Sequence, residues 1–125
     1  MTEKTLFQKI MDGELGGEIL YEDDSCAVLR GINPQAPTHV LIVPRKVIPS
    51  LDDLTEDDEA LIGHLFLVAK KIAADEGLTN GYRTVFNNGR GAHQEVDHIR
   101  LHVLGGRWAG LRVRQTTIST CVVCG

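Results

Sequence analysis

The sequence has no excess of basic residues: 13 Lys and Arg stand against 17 Asp and Glu, a formal net charge of −4. That balance gives no overall attraction to nucleic acid or to an anionic membrane surface, so phosphate binding has to come from a local group of donors. No apolar run approaches the ~20 residues that span a bilayer, and the opening "MTEKTLFQKIMDGE" lacks the apolar stretch of a signal peptide. The expectation is a cytoplasmic protein with neither membrane nor nucleic-acid partners. Cysteine is sparse, and its count of three argues against a disulfide framework. Cys26, within "SCAVL", reads as a small buried apolar residue. Cys121 and Cys124, in "CVVCG", have the spacing of half a zinc site or of a redox pair. With no second such pair, a complete site would need a histidine or a symmetry-related subunit, so the two read as small apolar tail residues and no metal or other cofactor is expected. Repeats and low-complexity stretches are missing too. What remains, 125 residues with 42% hydrophobic content, reads as a single domain with one core.

The patterning alternates between element types. "LFQKIMDGE" places Leu6, Phe7, Ile10 and Met11 on one helical face and ends near glycine. "EILYED" and "SCAVLR", joined around Asp23 and Asp24, read as a hairpin. "HVLIVP" is a near-continuous apolar run, as a strand buried on both faces would be. The clearest helix is "TEDDEALIGHLFLVAKKIAADEG": Thr55 is its N-cap candidate, acids fill the first turn, Leu61, Ile62, Leu65, Phe66, Val68, Ala69 and Ile72 form the apolar stripe, and Gly77 is the stop. "YRTVFNN" and "DHIRLHVLG" are two further strands, joined by the turn-rich "NGRGAHQE". The sum is an α+β domain with an antiparallel sheet of about five strands, one long helix and one short one.

"VDHIRLHVLGG", residues 96–106, carries the most chemistry. Along a strand His98, Arg100 and His102 share one face and Ile99, Leu101 and Val103 the other, which goes to the core. Two histidines and an arginine on one face are either an exposed polar surface without a task or a ligand site. The glycine-rich turn before them, whose amides would cradle an anion, and the "LGG" after them, which allows close backbone approach, favour a site. His64, on the long helix, reads as structural or interfacial, and His93 as a loop residue or a group at the pocket mouth.

Taken in order, "YEDDSCAVL", "INPQAPTHVLIVPRK", "YRTVFNNG" and "QEVDHIRLHVLGGR" resemble the histidine triad (HIT) family, and within it the branch of small purine nucleoside phosphoramidases. The similarity covers about residues 4–107, so 1–107 is expected to be a HIT-like domain and 108–125 a divergent C-terminal tail. The resemblance implies the HIT-like fold and a homodimer whose long helices and last strands pair across a twofold axis. It also implies a cleft for a purine nucleoside monophosphate or phosphoramidate in each subunit. By the same resemblance, His98 and His102 match the first and third histidines of the family signature H-φ-H-φ-H. His39 matches the histidine that closes P-x-A-P-x-H, Asn87 an asparagine that helps bind phosphate, and Gln94 the glutamine before the signature. Glu95 stands where many relatives have a serine or threonine that bonds the α-phosphate. Gly31 stands where the family usually has an aspartate that holds the ribose hydroxyls, and Ile32 beside it completes the nucleotide-binding set.

Arg100 replaces the central histidine, which in the family mechanism attacks phosphorus and carries a covalent nucleotidyl intermediate. A nucleophile needs a lone pair, and a guanidinium has five donors and none to offer. It can instead bind phosphate through its fork, or fill the space where the α-phosphate would lie. The reading is a nucleotide-binding protein with weak or no hydrolysis. The alternatives are a hydrolase working through the remaining histidines and a dimeric interaction scaffold without a nucleotide site. Arg107 follows "LGG" as in many relatives. Trp108 is kept in kind without the Pro-Pro that usually follows, and "TTISTCVV" has strand character.

Overall fold

The structure is a computed structural model that describes residues 4–14, 16–31 and 34–106. Five strands, β1 (Ile19–Glu22), β2 (Cys26–Arg30), β3 (Thr38–Pro44), β4 (Tyr82–Val85) and β5 (Leu101–Gly105), form one sheet in the order β1-β2-β3-β5-β4. Every pairing is antiparallel. The short helix α1 (Leu6–Met11) and the long helix α2 (Glu59–Asp75) complete the α+β fold expected from the sequence.

The register explains how one sheet serves two cores. Val28 pairs with Ile42, Val40 with Val103 and Ile42 with Leu101. Because strand side chains alternate, these residues and Cys26 share a face, and it packs on Leu65, Val68, Ala69, Ile72 and Ala73 of α2. The opposite face carries Ala27, Leu29, Leu41 and Val43 under Phe7 and Ile10 of α1. Strand β3 lies between the layers and is buried from His39 to Pro44, which is why its sequence reads as an unbroken apolar run.

Helix ends follow their capping residues. The Thr5 hydroxyl accepts a bond from the Gln8 amide (3.1 Å) while the Gln8 side chain accepts one from the Thr5 amide (2.8 Å), a capping box for α1. Thr55 does cap the second helical segment, accepting from the Asp57 amide (3.3 Å) and donating its own amide to the Asp58 carboxylate (3.0 Å). The turn it opens, Glu56–Asp58, is 3-10, and α2 proper begins only at Glu59. At the far end Gly77 takes φ +75°, with Gly77 N–H bonded to the Ala74 carbonyl (3.1 Å) and Leu78 N–H to the Ala73 carbonyl (2.9 Å). That double closure needs a left-handed residue, as the placement of Gly77 anticipates.

One expectation is corrected. The strand read over 97–105 is regular only from Leu101 onward. Upstream, the His98 amide turns back onto the Val96 carbonyl (2.8 Å), and the Ile99 amide donates to Ile48 in the loop after β3 (2.8 Å), so the ladder to β3 starts late. Among the described residues β5 is bonded to β3 on one side and β4 on the other, leaving β4 and β1 outermost. Among the described residues no helix is long and apolar enough to cross a membrane. The tail, 108–125, lies outside the described residues, as do Ile32 and Arg107.

Leu65 is fully buried at the centre of the α2 layer. Its replacement by alanine is expected to cost about 2–5 kcal/mol, read as a lower denaturant midpoint at unchanged slope, whereas Lys70→Ala on the exposed side should shift stability by less than about 0.5 kcal/mol.

Candidate active site

The site lies on the α1 face of the sheet, where β3 and β5 run side by side. Leu41 pairs with His102 and His39 with Leu104, so the two histidines are diagonal neighbours, with His39 Nε2 and His102 Nδ1 3.0 Å apart. The Gln35 amide lies 3.2 Å from His39 Nδ1. An amide only donates, which fixes the protons: His39 Nδ1 accepts, its Nε2–H donates to His102 Nδ1, and the His102 proton sits on Nε2. Both rings are almost completely buried. Burial lowers the pKa of His39 to about 4. Burial, with His39 and Arg100 adding to it, lowers His102 to about 3. The pair is neutral at pH 7.

His98 and Arg100 precede β5 and are held by other means. His98 is 0% exposed. Its Nε2 lies 2.7 Å from the Pro44 carbonyl at the end of β3, and its Nδ1 lies 2.7 Å from the Thr5 hydroxyl. A carbonyl only accepts, so Nε2 carries the proton and Nδ1 accepts from Thr5. Burial, and secondarily Arg100, lower the His98 pKa, although the Pro44 carbonyl acts against them. Arg100 is 3% exposed. It folds back on its own segment, donating to the His98 carbonyl at 3.1 Å and the Val96 carbonyl at 3.4 Å, and its guanidinium carbon stands 4.9 Å from the centre of the Phe7 ring. Such a cation–aromatic contact contributes about 0.5–2 kcal/mol. The exposed polar face that alternation alone allowed is therefore absent: all three signature positions are buried.

The loop before the signature is tied to itself. Gln94 is 2% exposed; its amide group donates to the Pro49 (2.6 Å) and Val96 (3.1 Å) carbonyls, and its Oε1 accepts from the Gly89 amide (2.8 Å). The amides of Ala92, His93 and Gln94 all bond to carbonyls within the turn. The expected anion cradle is thus closed at these positions by the turn's own carbonyls. Asn88 binds the Leu51 amide (2.7 Å), while the Asn87 Nδ2 group is buried without a hydrogen-bond partner among the described residues. Glu95 and His93 are exposed, the latter at φ +65°. Gly31 donates its amide to the His39 carbonyl (2.9 Å), and a Cβ there would lie 3.0 Å from that oxygen and 3.2 Å from the His39 ring.

The histidine pair, the signature segment behind it and the sheet that carries them now have known counterparts. The HIT domain profile matches residues 12–109. The chain belongs to the HIT domain family. It is 50% identical over 107 residues to an uncharacterized HIT-like protein of Synechocystis, covering 86% of this chain and 94% of the relative. It is 45% identical over 111 residues to the purine nucleoside phosphoramidase of Escherichia coli, covering 88% and 93%. The HIT family hydrolase from Legionella pneumophila superposes with a TM-score of 0.81 at 48% identity, over 83% of this chain and 94% of that one. Within the HIT match fall Gly31, His39, Asn87, Gln94, Glu95, His98, Arg100 and His102.

The structure adds two residues to the site that the sequence pattern did not single out. The bond of Thr5 to His98, 93 positions away, leaves no mark in the sequence. Phe7 is legible as an apolar helix residue, but not as the cover of Arg100. One more pairing is new: His64 of α2 lies 2.7 Å from the Asp23 carboxylate, which gives the structural part expected of it a partner.

The neutral histidines set a pH dependence. An unfolded histidine takes up a proton near 6.5, whereas His39 and His102 in the fold resist protonation until about 4 and 3. Unfolding therefore binds protons, and stability is expected to fall as the pH drops below about 6.5, with the span from about 6.5 to 5.5 lying above the range where carboxylates titrate. Thermal midpoints across that window test it: the slope should shrink in His39→Asn, and a flat wild-type profile would refute the assignment.

Proposed function

We propose that this HIT-family chain binds a purine nucleoside monophosphate or phosphoramidate and hydrolyses it weakly or not at all. The substrate class rests on the family and on its likeness to the E. coli purine nucleoside phosphoramidase. The loss of hydrolysis rests on one observation, that His39, His98 and His102 each have their lone pair committed. His39 Nδ1 accepts from Gln35, His102 Nδ1 from His39, and His98 Nδ1 from Thr5. The nitrogen from which the attack would come is replaced by a guanidinium, and none of these three rings stands ready in its stead.

Binding draws on the donors that remain. The Arg100 fork suits two phosphate oxygens, and the buried Asn87 Nδ2 group is a donor awaiting an acceptor. Beside them the sheet and α1 enclose a small apolar recess lined by Phe7, Ile10, Leu29 and Leu41. Its volume of about 40 Å³ holds a few waters, so a purine enters only if α1 shifts. Because Arg100 lies beneath Phe7, and Gly31 offers no carboxylate to the ribose, affinity is expected to be modest. Glu95, exposed at the edge of the segment, and Ile32 complete the proposed contacts.

The same reading makes the chain a homodimer. Among the described residues β4 is an outermost strand, and Phe66 (44% exposed), Leu67 (67%) and Tyr82 (40%) present apolar surface on α2 and β4. Sedimentation should give a dimer that Leu67→Glu weakens; a monomer at micromolar concentration would refute it.

Calorimetry with AMP and GMP and turnover of adenosine 5′-phosphoramidate test the central claim. Heat of binding with turnover near the buffer rate is expected, and Arg100→His should raise the rate on the order of 10³-fold or more. Absence of heat at millimolar nucleotide would leave only a scaffold. Wild-type turnover that disappears in His98→Ala or His102→Ala would make the protein a working hydrolase.

A further inference from the structure

On the opposite side of the sheet from the histidine pair, three ligating side chains of different chemistry meet. The turn between β1 and β2 supplies the Asp23 carboxylate, the first residue of β2 supplies the Cys26 thiol, and α2 supplies the His64 imidazole. One oxygen, one sulfur and one nitrogen from these residues lie within 4.8 Å of one another. We propose that Asp23, Cys26 and His64 form a site for a borderline divalent cation, zinc above all, which would clip the β1–β2 hairpin to α2.

The arrangement has the properties of a built site. Asp23 is oriented by its own turn, with Oδ1 accepting from the Ser25 (2.8 Å) and Cys26 (2.9 Å) amides, so that Oδ2 faces the cluster. There Oδ2 meets His64 Nε2 at 2.7 Å and the Tyr21 hydroxyl at 3.0 Å. Arg45 fixes the turn from behind through the Asp23 carbonyl (2.7 Å). These outer bonds are of the kind that orient metal ligands and tune their affinity. An oxygen, a nitrogen and a thiolate at ordinary zinc bond lengths stand about 3.3–3.7 Å apart. The His64–Asp23 contact therefore opens by about half an ångström and the thiol draws in.

Charge and access also fit. One carboxylate and one thiolate neutralise a divalent ion, and the thiol proton is released to solvent on binding. Cys26 is fully buried, whereas His64 and Asp23 are partly exposed, so the ion enters from the helix side and a water takes the fourth position, as in zinc sites with three protein ligands. The mixed donor set disfavours calcium and magnesium, which take oxygen ligands.

The test uses the full chain carrying Cys121→Ser and Cys124→Ser, which removes the tail's cysteine pair as a competing site. Titrated with cobalt(II) after chelator treatment, it should bind one equivalent, show a thiolate-to-cobalt charge-transfer band, lose that band on adding zinc, and gain thermal stability with either metal. Cys26→Ser should abolish the band. His64→Ala, a change at a half-exposed helix position that leaves the metal-free fold intact by circular dichroism, should weaken binding by about 100-fold or more. The proposal is overturned by the absence of a charge-transfer band, by a band that persists in Cys26→Ser, or by unchanged cobalt affinity in His64→Ala.

Discussion

The site turns on the two hydrogen bonds of His98. With its Nε2 on the end of β3 and its Nδ1 on the hydroxyl that caps α1, this ring adds polar bonds between two elements that also pack through apolar side chains. It holds the short helix against the sheet and so keeps Phe7 over Arg100. A six-residue helix is too short to be stable by itself; it persists because its N-cap and its buried face are both tied to the sheet. The backbone carbonyl of the same residue receives the guanidinium. The first histidine of the signature is thus a brace for the arginine that follows it two residues later.

Arginine in place of an imidazole changes the electrostatics of the pocket as well as its chemistry. A fixed positive charge beside His98 and His102 opposes their protonation and reinforces what burial already does. The result is a cluster in which only the guanidinium is charged at neutral pH. Three neutral rings with committed lone pairs thus surround one cation, an arrangement that suits the anion-binding reading proposed above.

Much of the fold was legible in the residues. The stripe from Leu61 to Ile72 specified α2, Gly77 its end, and the unbroken run of β3 its place at the centre, because periodicity and backbone conformation are local properties. The alternating letters of the signature were also read locally, as strand, and there the reading failed. Ile99 gives its amide to Ile48, and His98 finds its partners at positions 5 and 44. Bonds to distant backbone carbonyls leave no mark in residue type. The glycine-rich turn misled for the same reason, since its amides are consumed by its own carbonyls and by the side chain of Gln94. The candidate residues His39, His98, Arg100 and His102 do come together, while the parts played by Thr5 and Phe7 became visible only in three dimensions.

The tight approach at Gly31 bears on the routes by which this sequence can change. A side chain at that position would press on the His39 carbonyl and ring, and that ring is gripped by Gln35 on one side and His102 on the other. Reinstating a carboxylate there is therefore not independent of the histidine relay, and its cost depends on what already occupies the neighbouring positions. Gly31 touches His39 and Arg100 acts on the charge of His102, so substitutions at 31 and at 100 reach the same imidazole pair and their effects are coupled rather than additive.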